Sequence, residues 1–256
     1  MNRITELFNS GKKDILSVYF TAGYPSLNDT FRTITELEKR GVDMIEIGIP
    51  FSDPIADGPV IQKSGSKALL NGMTLSLLFE QLREIREYSQ VPLVLMGYIN
   101  PIVRMGIDTF LEHASRTGID GVIIPDLPPE EYIEKHQAKF QKAGIFNNFL
   151  ITPQTPDTRL RQIDEWSEGF LYMVSSAATT GSRESFDEKQ LDYFKRVSDM
   201  KLKTPRLIGF GVSNHTTFEQ ACKYADGAII GSAFIDAVSE NGSLAQKVSG
   251  FLEAIR

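Results

Sequence analysis

Short apolar runs alternate along this chain with longer amphipathic stretches, and the rhythm repeats eight times. The apolar runs cover 15–21, 44–50, 91–98, 121–125, 146–152, 170–175, 206–210 and 227–231. Most are nearly continuous in Ile, Val and Leu, the pattern of strands covered on both faces and therefore paired in parallel. Between them, helical periodicity spans 28–40, 75–88, 108–117, 129–143, 158–168, 188–200 and 216–224, with a last helix over 244–256. In the first of these, Phe31, Ile34 and Leu37 recur at three-residue spacing, a stripe suited to packing on a sheet. Gly41, Gly118 and Gly144 sit where helices should close, and Asn28 and Asp157 where two should begin. Eight strand–helix units in about 250 residues predict an α/β (β/α)₈ TIM barrel, a single domain over 1–256. The alternative is a doubly wound open sheet. Its G-x-G-x-x-G signature is missing, because Gly209-Phe-Gly-Val-Ser-Asn214 lacks the third glycine.

Composition narrows the partners. The chain has 256 residues, 41% apolar and 23% charged, enough for a substantial core. A net charge of −6 argues against nucleic acid or an anionic membrane, yet leaves room for a local anion site built from backbone amides. Cys222 is the single cysteine, expected as a packed thiol with no disulfide or thiol metal site. The N-terminus lacks a secretory apolar core, and no run reaches the ~18 residues needed to cross a bilayer, so a cytoplasmic protein is expected.

The barrel makes two acids conspicuous. In strand 44–50, Ile45, Ile47 and Ile49 share one face and Met44, Glu46 and Gly48 the other. The isoleucines suit the helix-facing side, which puts Glu46 in the lumen, where an ionised carboxylate is costly unless it is used or paired. Asp57 follows on the long proline-bearing loop 51–60, at the rim where barrel active sites lie. Alone, Asp57 and Asp53 read equally well as turn residues. Glycines at Gly209-Phe-Gly-Val-Ser213 and Gly231-Ser-Ala-Phe234 end the last two strands, the recurrent phosphate position in barrels, and a third glycine-bearing segment, 179–182, follows strand six. A small phosphorylated substrate is expected. Widely spaced His113, His136 and His215 disfavour a metal triad or a Ser-His-Asp relay, and no lysine stands in the eight runs for a Schiff base.

The block Glu46-Ile-Gly-Ile-Pro-Phe-Ser-Asp-Pro-Ile-Ala-Asp-Gly-Pro-Val-Ile-Gln62 closely resembles the signature of the tryptophan synthase α subunit family. The resemblance continues, in order, through Phe20-Thr-Ala-Gly-Tyr-Pro25, Met96-Gly-Tyr-Ile-Asn-Pro101, Pro125-Asp-Leu-Pro128, Gly209–Ser213 and Ile230-Gly-Ser-Ala233. It implies a lyase of tryptophan biosynthesis that cleaves indole-3-glycerol phosphate to indole and glyceraldehyde 3-phosphate. Matching positions imply Glu46, Asp57 and Tyr172 as catalytic residues. Tyr19, Ile61, Thr180, Gly181, Phe210, Gly211, Gly231 and Ser232 are implied to bind the substrate. A β subunit carrying pyridoxal phosphate is the implied partner in an α2β2 assembly, with no cofactor in this chain, and Asp53, Asn100 and Pro101 lie where contact is expected.

After strand six the family reads close to Ser-Arg-x-Gly-Val-Thr-Gly, whereas this chain has Ser175-Ser-Ala-Ala-Thr-Thr-Gly181. The missing arginine bears on loop closure (about 176–187) and partner coupling rather than on the reaction. A catalytically idle activating subunit and another phosphosugar barrel isomerase or synthase are the competing functions. Retro-aldol chemistry needs a proton taken from a glycerol hydroxyl and one given to indole C3. Glu46 in an apolar lumen suits that relay, and a wetter, ionised Asp57 suits the indole N–H.

Overall fold

A computed structural model describes residues 1–175 and 185–256. Its strands are β1 (Ile15–Thr21), β2 (Met44–Gly48), β3 (Leu93–Met96), β4 (Gly121–Ile123), β5 (Phe146–Asn147), β6 (Leu150–Ile151), β7 (Leu171–Val174), β8 (Arg206–Gly209) and β9 (Gly227–Ile230). Every apolar run contains a strand, and the fifth contains two. All neighbours are parallel, in the order β5-β4-β3-β2-β1-β9-β8-β7-β6.

The two ends of that order are consecutive in the chain, so the sheet closes on itself and the fold is the expected TIM barrel. β5 bonds only toward β4 and β6 only toward β7, as the stagger of a closed barrel requires. Asn148 spans the gap. Its backbone N–H and its Nδ2 both donate to the Val122 carbonyl, at 2.8 and 3.1 Å, while its Oδ1 accepts from the Phe170 N–H at 2.9 Å. Glycine is needed on both sides of this amide: a Cβ at Gly169 would lie 2.1 Å from Oδ1, and one at Gly121 2.8 Å from Nδ2.

Both faces of β1 and β2 are buried, as near-continuous apolar sequence requires. The helix Asp29–Lys39 turns Ile34 and Leu37 inward. Gly41, Gly118 and Gly144 adopt left-handed φ of 80°, 70° and 72° just past helix ends, where glycine is the unstrained choice.

Other helical expectations change in detail. The 75–88 pattern stops at Gln81 and resumes only as a short turn, Ile85–Glu87. The 129–143 pattern divides into Pro129–Lys135 and Gln137–Ala143, because His136 leaves helical geometry at φ −126°. Asp157 is inside its helix rather than at the N-cap, a position taken by Pro156. Asn28 occupies an N-cap but makes no capping bond, while Asp187 forms a full capping box with Gln190. Helices Arg3–Asn9, Pro59–Leu70 and Ile99–Met105 were not apparent from periodicity. The first sends Ile4 to full burial against the start of β4.

Candidate active site

The strand register assembles the site. Tyr19 on β1 is paired with Glu46 on β2, and Glu46 with Val94 on β3. Side chains of paired residues share a face, so Ser17, Tyr19, Glu46 and Gly48 line the lumen together. Glu46 is fully buried, as its place in the strand predicts. The Ser17 hydroxyl donates to Glu46 Oε1 at 3.2 Å. Burial pushes the carboxyl up to about 8, against the opposing effect of the Ser17 bond. At neutral pH Glu46 is therefore largely a protonated acid.

Asp57 sits at the rim, on the loop that leaves β2 and turns into the helix Pro59–Leu70. The Tyr98 hydroxyl donates to Asp57 Oδ2 at 3.1 Å and accepts from the Ala56 N–H at 2.9 Å. Asp57 is half-buried, drier than its loop position implied. Burial raises its carboxyl above the ordinary value while the Tyr98 bond opposes the rise.

Two buried tyrosines lie within the electrostatic reach of both acids. Burial raises the phenols of Tyr19 and Tyr172 far above their ordinary range, and nearby charge on both Glu46 and Asp57 adds to each shift. Each tyrosine occupies space that only glycine leaves open. A Cβ at Gly48 would stand 2.1 Å from the Tyr19 hydroxyl oxygen, and one at Gly209 2.2 Å from that of Tyr172.

Tyr19 and Tyr172 also line a cavity of about 230 Å³, together with Ile61, Phe210, Gly211, Gly231 and Ser232. Glu46 and Asp57 are not part of its wall. Glu46 stands beside Tyr19, which is, and Asp57 two residues before Pro59, which also is. Beside Tyr19, Gly231 caps the helix Ser232–Ser239, whose first-turn amides have no partner within the helix. Phe210 and Gly211 are both left-handed, at φ 65° and 77°. The Ser175 hydroxyl holds the Phe210 carbonyl at 2.6 Å, and the Phe210 ring meets Tyr172 edge-on at 6.0 Å. An apolar enclosure flanked by two acids and ending on main-chain donors and a helix N-terminus suits a flat ring joined to a phosphate. Thr180 and Gly181 lie outside the described residues.

Asp53 and Asn100 are exposed and Pro101 is half-buried. Asn100 and Pro101 lie in the first turn of the helix Ile99–Met105 rather than on a loop, and Tyr98 before it meets the Asp53 loop through the Phe51–Tyr98 ring contact at 5.2 Å and the Ala56–Tyr98 bond. Cys222 is half-buried and its thiol is pushed up to about 12, chiefly by burial. Sequence reasoning did not single out Ser17, the space that Gly209 leaves for Tyr172 or the grip of Tyr98 on Asp57. A lone serine in the apolar strand 15–21 was the one available signal.

The chain matches the family model described as "Tryptophan synthase alpha chain" over residues 6–255. It is 56% identical over 255 residues to the tryptophan synthase alpha chain of Flavobacterium psychrophilum, with 100% of both chains covered. The alpha chain of Phocaeicola vulgatus is 53% identical over 257 residues, again with 100% of each covered. Among solved structures, the tryptophan synthase alpha chain of Legionella pneumophila superposes with a TM-score of 0.87 at 32% identity, covering 100% of this chain and 96% of that one. A chain of the tryptophan synthase complex from Pyrococcus furiosus gives 0.85 at 36% identity, covering 95% and 98%. With fold, order of motifs and full-length similarity in agreement, this chain belongs to the tryptophan synthase α-chain family.

Proposed function

We propose that this barrel cleaves indole-3-glycerol phosphate to indole and glyceraldehyde 3-phosphate, the reaction of its family, with Glu46 and Asp57 as the working acids. Glu46, protonated near neutral pH, gives its proton to indole C3 and as a carboxylate takes one from the glycerol hydroxyl. Proton uptake and release balance, and indole leaves as a neutral ring. Protonation at C3 puts positive charge on the indole nitrogen, and the Asp57 carboxylate stabilises it there. Tyr19, Ile61, Tyr172 and Phe210 enclose the ring. Amides at Gly211, Gly231 and Ser232 take the phosphate, with Thr180 and Gly181 assigned to the same end by family position.

The observation that carries this reading is geometric: Glu46 is the register partner of Tyr19, and Tyr19 lines one cavity with Pro59, Gly211, Gly231 and Ser232. The partner implied by the family is a β subunit carrying pyridoxal phosphate, in an α2β2 assembly that receives the indole. Asp53, Asn100 and Pro101 are the contact residues proposed for it. No helix among the described residues is long and apolar enough to cross a membrane, in keeping with a cytoplasmic site of action. Single-turnover indole release tests the assignment: Glu46→Gln should lose at least ~100-fold in rate. A near wild-type rate in that variant would refute it.

A further inference from the structure

We propose that Ser17 is a positioning residue for this reaction, anchoring Glu46 Oε1 so that Oε2 is the oxygen that carries the transferred proton. The inference rests on the reading of Glu46 given above.

Ser17 and Glu46 are both fully buried, and the 3.2 Å bond runs from the serine hydroxyl to Oε1. Oε2 is equally buried and has no hydrogen-bond partner among the described residues. Buried polar oxygens are nearly always satisfied, and one left open inside an enzyme lumen is poised for a partner that arrives with the substrate. With the Ser17 hydroxyl donating to Oε1 and Oε2 left without a partner among the described residues, the proton of the neutral acid is assigned to Oε2. An oxygen that accepts a hydroxyl proton acts as the carbonyl of the neutral acid, which leaves the O–H on the other oxygen.

Strand geometry explains why residue 17 can do this. Ser17 and Tyr19 project to the same face of β1, and Tyr19 is the register partner of Glu46. The glutamate side chain reaches diagonally back by one pair to meet the serine. An alanine here would leave the carboxyl free to rotate, with neither oxygen selected. The titratable groups that interact with Glu46 are Tyr19 from β1 and Tyr172 from β7, Asp57 acts on the same two phenols, and the β3 neighbour Val94 is apolar. Both phenols stay neutral through the working range, so the alkaline limb of activity reports Glu46.

The test is the pH dependence of indole-3-glycerol phosphate cleavage by the full chain bearing Ser17→Ala, Ser17→Cys or Ser17→Thr. Ser17→Ala should lower kcat about tenfold with KM within about twofold. It should also move the alkaline limb up by about one pH unit, because a bond favouring the carboxylate is gone. Ser17→Cys, a weak donor of similar size, should move both in the same direction, and Ser17→Thr should restore both. Independently of turnover, the carboxylic C=O stretch of Glu46, identified by its loss in Glu46→Gln, should rise in frequency in Ser17→Ala. An unchanged limb and an unchanged band in Ser17→Ala and Ser17→Cys, with Glu46→Gln inactive, would overturn the role of Ser17 alone. An active Glu46→Gln would instead remove the reading beneath it.

Discussion

The Tyr98 hydroxyl holds Asp57 from a different βα loop, donating to Oδ2 at 3.1 Å while it accepts from the backbone of Ala56. The carboxylate of the rim acid is thus held from the strand-three side of the barrel, while its backbone carbonyl accepts from Gln62 Nε2 at 2.8 Å in its own segment. Tyr98→Phe should keep the ring contact with Phe51 but release the carboxylate. With burial unopposed, the Asp57 carboxyl should rise further and its grip on the indole nitrogen weaken. A hydrogen bond to a charged group is worth about 1.5–3 kcal/mol, so kcat/KM for the cleavage should fall roughly 10- to 100-fold. Steady-state kinetics on the purified chain decides this.

Glu46 links both activity and stability to pH, and both fall as its carboxyl ionises. Its carboxyl is held up at about 8 in the folded chain against an ordinary 4.5. The favourable contribution of the neutral acid is complete below the ordinary value and is lost as pH rises from there through about 8. Glu46→Gln cannot ionise, so it should gain about 3–5 kcal/mol relative to the parent between pH 4 and pH 9. Urea midpoints of both proteins across that range test the linkage, and cleavage by the parent should decline above about pH 8.

Glycines at two strand ends shape the pocket. Gly48→Ala and Gly209→Ala each drive a methyl group into a buried tyrosine, at 2.1 and 2.2 Å from its hydroxyl oxygen. Each should cost about 1–3 kcal/mol in stability and raise KM severalfold by tilting an aromatic wall. Thermal unfolding with matched kinetics would separate the two effects, and a variant neutral in both would show that the rings yield freely.

Asn148 closes the barrel through its side chain. Asn148→Leu leaves the Phe170 N–H buried without an acceptor, an expected loss of about 2–3 kcal/mol. Asn148→Asp keeps an acceptor but sets an oxygen against the Val122 carbonyl, so its penalty should grow with pH as the new carboxylate ionises. Chemical denaturation at low and neutral pH measures both.

The barrel was legible because parallel strands buried on both faces leave apolar runs that hardly alternate, and glycines such as Gly41 and Gly144 mark helix ends. The acids were legible for the converse reason: three isoleucines on one face of 44–50 force Glu46 to the other. The division of strand 146–152 was not legible, since it follows from barrel stagger and not from residue type. The break at His136 was hidden by apolar spacing that continues across it. Ser17 escaped notice because pairing register between β1 and β2 is not written in either strand alone. Tyr98 stood in the sequence as a member of the block Met96–Pro101, and only folding shows it against Asp57.

Phe210 takes a left-handed backbone at φ 65° without the freedom of glycine. A bulky residue there gives up about 1–2 kcal/mol of local comfort, which the Ser175 bond to its carbonyl helps to offset. Glycine would ease the chain and remove the aromatic edge that meets Tyr172. At this bend the shape of the chamber has taken precedence over the ease of its frame, so substitutions that relax the turn should cost recognition before they cost folding.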